Sequence, residues 1–192
     1  MKLIEENWLD ETEKKLEQKE MKRRELSDLS YELIKKCGLL VSSLHRDTDK
    51  VEIIAKEAKG LHEKLLNEVR TDPSYCLSDE EVAFSEYAEA YSLYSLLKEG
   101  SLPLADSFYN AEAFIMGLAD LIGELKRATV NSVINGKRDD AMKMFGWMQE
   151  LFDDLVRFEY PRSVVRGLKR KMDVDRALIE DARNVLAQSK AC

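Results

Sequence analysis

The sequence contains few residues that interrupt a helix, with three prolines and eight glycines among 192 residues. Segments rich in Val, Ile and Thr with alternating polar and apolar residues are missing, which argues against β structure. No stretch approaches the roughly 20 apolar residues that a membrane-spanning helix needs. The first residues are acidic instead of forming the apolar core of a signal peptide. We therefore predict an all-α, cytoplasmic protein with no membrane contact.

Cysteine is scarce and the charge is unbalanced. Cys37, Cys76 and Cys192 lie far apart and form no CxxC pair, so neither a zinc ribbon nor a disulfide framework is predicted.

The formal net charge of -7 argues against a protein that coats nucleic acid through general positive charge. Two possibilities stay open: a basic face that binds nucleic acid, or bound cations that offset the acidic excess.

Apolar residues recur at steps of three and four, which predicts helices that each bury one face. The segment 8–25 is dominated by charged residues, and we expect a helix there that projects into solvent or is only partly ordered. Residues 1–192 are predicted to form one domain, a bundle of about six or seven long antiparallel helices. The predicted helix ends are Asp47 or Thr48 before helix two, Ser78 with Glu81 before helix three, Gly100 after it, Asn110 before helix four, Asn135–Gly136 after it, and Pro161 in the first turn of helix six.

Two pairs of acidic residues stand out. Glu86 and Glu89 are three residues apart on helix three, and Asp120 and Glu124 are four apart on helix four, so each pair shares a helix face. If the two helices pack antiparallel, as their short connection permits, the pairs meet. Four such carboxylates repel one another and are suited to a hard divalent ion, Mg²⁺ or Mn²⁺. An ion held there can activate water for phosphodiester hydrolysis.

Other readings of these residues stay open. Acidic pairs at this spacing are common on solvated helix faces, and Lys126 and Arg127 can neutralise the pair on helix four. A ferritin-like di-iron site requires Glu-x-x-His motifs, and neither His45 nor His62 follows a glutamate by three residues. Basic residues that either hold phosphates or lie on solvated faces form two groups, Lys22, Arg23 and Arg24 on helix one and Arg166, Lys169, Arg170 and Lys171 on helix six.

Several segments resemble the translin/TRAX family. GLADLIGELKRATVNSVINGKRDDA is similar to the family's central segment, and FSEYAEA resembles the preceding helix of the TRAX branch. KRRELSDLSYELIKKCGLLVSSLHR is similar to the family's helix with the pattern R-E…S…LHR, and LKRKMDVDRALIEDARNVL resembles the family's last helix. The stretch SDEEVAFSEY has no basic residue where translin has a basic one, so the resemblance favours the TRAX branch. TRAX has an extended insertion between the two acidic helices, whereas about ten residues connect them here.

The resemblance implies an all-α fold that assembles into a hollow, octamer-like homo-oligomer or works with a translin-like partner chain. It also implies an endoribonuclease that depends on Mg²⁺ or Mn²⁺, with Glu86, Glu89, Asp120 and Glu124 as metal ligands and catalytic residues. The residues expected to hold the RNA are Lys22, Arg23, Arg24, Arg127, Arg166, Lys169 and Arg170. The alternatives are an oligomer that binds single-stranded RNA or DNA without cutting it, and a helical scaffold for other proteins.

Overall fold

The computed structural model describes residues 3–73, 78–158 and 164–189, and the regular structure in these ranges is entirely helical. This confirms the all-α prediction. No helix in the described ranges is long and apolar enough to cross a bilayer. The described residues form six α-helices, which are α1 (Glu6–Arg46), α2 (Val51–Thr71), α3 (Ser78–Glu99), α4 (Ala111–Ile134), α5 (Arg138–Leu155) and α6 (Leu168–Gln188), with short 3-10 turns at Ala105–Ser107 and Val156–Phe158.

Helix α1 has 41 residues, which corresponds to a length of about 60 Å. The charged segment 8–25 is part of this helix, and most of its side chains are exposed. From Leu26 onward the helix buries one face, on which Leu26, Leu33, Cys37 and Leu40 are almost completely enclosed. Because so few apolar residues precede Leu26, the first half of α1 has little to pack against the rest of the bundle.

Some helix ends agree with the sequence and others differ. The side chain of Asn110 caps α4 by accepting a hydrogen bond from the Ala113 amide at 2.7 Å. Gly100 and Gly136 have φ values of 75° and 70°, as expected for residues that follow a helix. The prediction for helix two is wrong, because Asp47 is the left-handed residue that ends α1, and α2 has no side-chain cap.

The start of α6 also differs from the prediction. Pro161 lies outside the described residues, but residues 164–167 form turns and α6 begins at Leu168. Gly167 has a φ of 94°, a left-handed conformation that a helical residue does not adopt. Ser78 is the first residue of α3, and the position before it lies outside the described residues.

Contacts between neighbouring helices define their directions. Helices α1, α3, α4 and α6 run one way, and α2 and α5 run the other way. In antiparallel helices, residue numbers rise along one helix as they fall along the other. This is the case in the contacts of α1 with α2 (Lys36–Glu57, Lys22–Glu68), α2 with α3 (His62–Tyr87, Glu52–Tyr94), α4 with α5 (Ser132–Met144, Thr129–Met148) and α5 with α6 (Phe145–Arg183, Phe152–Arg176). The numbers rise together in the contacts of α4 with α6 (Asp120–Lys171, Lys126–Asp181), which are therefore parallel.

The expectation that α3 and α4 are antiparallel is wrong, because the segment between them returns along α3. The Ser107 carbonyl lies 3.2 Å from Nε2 of His62 on α2, and the Tyr109 ring stacks on Phe84 near the start of α3 at 4.5 Å. Extended chain covers about 3.3 Å per residue and a helix about 1.5 Å, so ten residues suffice to return. Consequently α4 begins beside the start of α3 and runs parallel to it.

Candidate functional site

Helices α3 and α4 approach each other closely at Gly117. A Cβ atom at this position would lie 2.5 Å from the carbonyl oxygen of Ser85, 2.6 Å from Cβ of Ala88 and 2.8 Å from the amide nitrogen of Glu89. Such contacts with backbone cannot be relieved by a side-chain rotation, so any larger residue would separate the helices. The close approach lies within one helical turn of Glu86, Glu89 and Asp120, and it therefore sets the distance between the two acidic pairs.

The four predicted carboxylates do lie near one another, although the helices that carry them are parallel. Burial raises the pKa of Glu86, the charge of Asp120 raises it further, and Lys171 opposes the shift. The pKa of Glu89 is raised to about 8, first by burial and then by Asp120, Glu86 and Glu124. Glu89 is therefore the carboxyl group in which repulsion from all three other members of the set combines with burial.

Glu124 has a different environment from the other three. Nε2 of His45, on α1, lies 2.5 Å from Oε2 of Glu124, and the His45 side chain is only 3% exposed. This hydrogen bond is the largest cause of a lowered Glu124 pKa, opposed by burial and reinforced by the charges of His45 and Arg127. Glu124 is therefore held as a carboxylate in one orientation, while Arg127 lies 3.7 Å away on the exposed side.

Lys171, at the start of α6, pairs with Asp120. Its Nζ atom is an ion-pair partner of Oδ1 of Asp120, and its positive charge also opposes the rise in the pKa values of Glu86 and Glu89. The sequence pattern placed Lys171 among the basic residues of α6 that either hold phosphates or lie on solvated faces. In the structure this ammonium group instead acts as a counter-ion for the acidic residues.

A further acidic residue, Asp175, lies one helical turn beyond Lys171. The residue is 4% exposed, and its buried Oδ2 atom has no hydrogen-bond partner among the described residues. Burial raises the pKa of Asp175 to about 7, with the charge of Asp120 adding to the shift and Lys171 opposing it. A carboxyl group in this state destabilises the fold unless it is neutralised or gains a partner.

A groove of about 640 Å³ leads to the acidic residues from one side. Glu86 and Asp120 are on its wall together with Lys171 and Arg166, whereas Glu89, Glu124 and Asp175 do not reach it. Its apolar lining includes Val82, Met116, Val164 and Val165. Glu81 and Glu112 also line the groove, so a molecule in it would meet four carboxylates and two basic groups, with Glu89, Glu124 and Asp175 behind them.

The predicted basic residues differ in their surroundings. Lys22 already pairs with Glu25 at 3.1 Å and Glu68 at 2.7 Å, and Arg24 pairs with Glu20 at 2.6 Å. Arg23 lines a second, separate groove beside α1. On α6 and just before it, Arg166, Lys169 and Arg170 are all exposed, and Arg166 is the one of these three that lines the groove at the acidic site.

The donor atoms are suited to a divalent ion, but they are not yet arranged around one. Within residues 3–73, 78–158 and 164–189, no three Asp, Glu, His or Cys side chains form a ready metal-binding group. The chemistry of the set nevertheless fits Mg²⁺ or Mn²⁺, since carboxylate oxygens are their preferred ligands. The unpartnered oxygen of Asp175 and the raised pKa of Glu89 both indicate uncompensated negative charge. Binding an ion would require the Lys171 ammonium to leave Asp120.

Sequence reasoning missed three members of this site. His45 is 79 positions from Glu124, and Lys171 is 51 positions from Asp120, so helical spacing gives no sign of either contact. Asp175 did leave a signal, because it falls on the apolar stripe of the last helix, where an acidic residue is unexpected. Burial raises the pKa of the Cys37 thiol, and the charges of Glu86 and Glu89 raise it further. Cys76 and Cys192 lie outside the described residues.

The fold and the site define a helical-bundle protein with clustered carboxyl groups at the end of a groove between parallel helices. Comparison with known proteins is more specific. The sequence model of the Translin family matches residues 21–185, and the chain belongs to this family. It is 33% identical over 171 residues to Uncharacterized protein MJ0175 of Methanocaldococcus jannaschii, covering 86% of this chain and 75% of the relative.

Solved structures with this fold include AfC3PO, alone and in complex with duplex RNA. The AfC3PO chain is 27% identical, with a TM-score of 0.86 and coverage of 95% of this chain and 97% of the other. The AfC3PO–duplex RNA complex gives 26% identity, a TM-score of 0.86 and coverage of 95% and 96%. Apo-NeC3PO is 23% identical, with a TM-score of 0.88 and coverage of 98% and 100%, which supports the fold alone.

Proposed function

We propose that this chain is a divalent-metal-dependent endoribonuclease of the TRAX branch of the Translin family. The observation that carries the proposal is the meeting of Glu86, Glu89, Asp120 and Glu124 at the end of a groove, with the pKa of Glu89 raised to about 8. Strongly shifted carboxyl groups in a cleft are typical of sites that bind cations or move protons. The absence of basic residues from SDEEVAFSEY supports the TRAX branch.

The acidic residues have separate tasks in this proposal. All four would hold Mg²⁺ or Mn²⁺, which supplies Lewis acidity for the attacking water and for the leaving oxygen. Glu86 and Asp120 lie on the groove wall, so they are the carboxylates that face the substrate, and Glu86 is positioned to accept a proton from a water molecule that enters there. Glu124 is oriented from behind by His45, as ligands often are by a second residue.

RNA is the proposed substrate. The structure of AfC3PO with duplex RNA supports RNA binding by a close structural relative. In this chain Arg166 lines the groove beside Glu86 and Asp120 and can contact a phosphate next to the carboxylates. Lys171 can do the same once a bound ion has displaced it from Asp120. Lys169 and Arg170 are exposed on the following turn and extend the basic surface. The positive charge of Arg166, Lys169 and Arg170 is local, and it offers phosphate contacts in spite of the net charge of -7 and of Glu81 and Glu112 on the same groove wall.

We further propose that the chain works as a homo-oligomer, in the form of an octamer-like particle, or together with a translin-like partner chain. The first half of α1 exposes Trp8, Leu9 and Leu16, which are 56%, 45% and 61% accessible. Leu16 is eight positions after Trp8 and seven after Leu9, so its side chain lies on the same side of the helix as these two neighbouring residues. A large aromatic and two leucines on a projecting helix are typical of a surface that another subunit covers.

The cleavage activity can be tested with purified protein and end-labelled RNA. We expect internal cleavage with Mg²⁺ or Mn²⁺, none with a chelator, and a loss of at least two orders of magnitude in Asp120→Asn. Asp153→Asn, which changes an exposed carboxylate on α5, is the matched control and should cleave at the wild-type rate. Equal cleavage by wild type and Asp120→Asn would reject the catalytic site.

A second candidate function is the binding of single-stranded RNA or DNA by an oligomer that does not cleave it. The observation in its favour is that His45 and Lys171 already pair with Glu124 and Asp120, so ion pairs within the chain account for part of the acidic charge. The same experiment separates the two functions. RNA that is bound but remains intact with either metal supports the binding oligomer, and failure to bind any nucleic acid at low salt supports a scaffold.

A further inference from the structure

Asp175 is a buried carboxyl group for which the proposed function has no task. Within the part of the chain that the structure describes, Oδ2 has no hydrogen-bond partner, and the residue is 4% exposed. Buried polar atoms in folded proteins are almost always paired, and a carboxyl oxygen without a partner needs an explanation. Asp175 lies on α6 one turn after Lys171, and this position defines which residues of the neighbouring helix it faces.

The contacts between α4 and α6 define what Asp175 faces. Asp120 pairs with Lys171, a Cβ at Gly123 would lie 3.8 Å from Leu178, and Lys126 pairs with Asp181 at 2.7 Å. These contacts advance in the same order along both helices. Asp175 lies between Lys171 and Leu178 on α6, so it faces the turn of α4 between Asp120 and Gly123.

That turn of α4 has no side chain that can pair with Asp175. Gly123 has none at all, and Asp120 is itself negative and repels Asp175. Lys171 carries the nearby positive charge, but its ion-pair partner is Asp120. Two acidic groups thus approach each other across the helix interface. Among the described residues the nearby cation, Lys171, pairs with Asp120, and Oδ2 of Asp175 has no hydrogen-bond donor.

We propose that Asp175 is a fifth oxygen donor of the divalent-metal site, supplied by α6 in addition to the four carboxylates of α3 and α4. This inference rests on the proposed function, because it adds a ligand to the same site. When Lys171 releases Asp120 to the incoming ion, Asp175 provides an oxygen on the α6 side, either to the ion directly or to a water molecule bound to it. The ion in turn compensates the buried charge that the metal-free protein leaves unpaired.

Binding of Mn²⁺, measured by isothermal titration calorimetry, tests this proposal without reference to cleavage. We expect Asp175→Asn to bind Mn²⁺ at least tenfold more weakly than wild type. Asp173→Asn changes an exposed carboxylate two residues away on the same helix, whose ion pair with Arg176 is on the surface at 3.4 Å, and it should bind as wild type does. Asp120→Asn, which removes a ligand of the original four, should also bind weakly.

The outcomes separate this inference from the function on which it rests. Wild-type binding that Asp120→Asn loses and Asp175→Asn retains would overturn the fifth donor and leave the proposed function standing. No binding by wild type would overturn both. Thermal melting in chelator is a second measurement: Asn is isosteric and uncharged, so metal-free Asp175→Asn should melt at or above the wild-type temperature. A lower melting temperature would show that the carboxylate already has a structural partner, which contradicts the proposal.

Discussion

The backbone of Ser85 lies so close to Gly117 that a Cβ on the glycine would be 2.5 Å from the Ser85 carbonyl oxygen. This contact lies between α3 and α4, the two helices that carry the acidic pairs, one residue before Glu86 on α3 and three residues before Asp120 on α4. The geometry of the site therefore depends on a residue that has no functional group.

Replacing this glycine should disturb both stability and the site. In Gly117→Ala the methyl group must displace α3 from α4. We expect the free energy of unfolding, measured by chemical denaturation, to decrease by about 1–3 kcal/mol. The control is Gly146→Ala in the middle of α5, where a Cβ would meet nothing within 4 Å. Because alanine has the better helix propensity, this variant should have a free energy of unfolding up to about 1 kcal/mol higher than wild type. Equal stability of Gly117→Ala and wild type would show that the close approach is not required.

The hydrogen bond between His45 and Glu124 predicts that a residue on α1 affects a site on α3 and α4. His45→Phe removes the donor at Nε2, and Mn²⁺ affinity should fall by about 10–100-fold, as is typical when a ligand loses its orienting partner. His45→Gln retains an N–H donor and should recover part of the affinity. Calorimetry on both variants, with circular dichroism to confirm folding, makes the comparison. Identical affinities for wild type and His45→Phe would contradict an orienting role.

The two basic groups should contribute unequally to RNA binding. Arg166 is exposed on the groove wall, whereas Lys22 is already paired with Glu25 and Glu68. In chelator, Arg166→Ala should weaken RNA binding and reduce the slope of log affinity against log salt by about one unit, the effect of losing one phosphate contact. Lys22→Ala should leave the slope unchanged. If Lys22→Ala reduced the slope and Arg166→Ala did not, the RNA would lie along α1 instead of in the groove.

Glu89 makes metal-free stability depend on pH. Its pKa is about 8 in the folded protein against an ordinary value of 4.5, so the folded state keeps a proton that the unfolded chain releases. The resulting stability is complete below about pH 4.5 and is lost as the pH rises to about 8. In chelator, the melting temperature of wild type should therefore fall between pH 5 and pH 8.5.

Glu89→Gln should reduce this fall without abolishing it, because Asp175, with a pKa of about 7, contributes in the same direction. The exposed Glu150 provides the control, and Glu150→Gln should follow the wild-type curve. Mn²⁺ affinity should change in the opposite sense and increase over the same pH range, since ligand carboxyl groups must lose their protons. A wild-type melting temperature that rises from pH 5 to pH 8.5 in chelator would contradict the shifted pKa.

The helices and the first four acidic residues follow from local sequence patterns, because apolar spacing and breaker residues act within a few positions. The direction of α4 does not, since a ten-residue connection permits either a turn or a return along α3, and the choice depends on the packing of Tyr109 on Phe84 and of Ser107 against His62. His45 and Lys171 join the site through contacts between distant helices. Asp175 was detectable only as a misplaced charge on an apolar stripe, with no indication of what it faces.

Anomalous diffraction from a crystal soaked in Mn²⁺ tests most directly whether these carboxylates hold a divalent ion. We predict one or two Mn²⁺ peaks bounded by oxygen atoms of Glu86, Glu89, Asp120 and Glu124, with the Lys171 ammonium moved away from Asp120. A saturating soak that leaves Lys171 paired with Asp120, and shows no Mn²⁺ peak among these residues, would contradict the account.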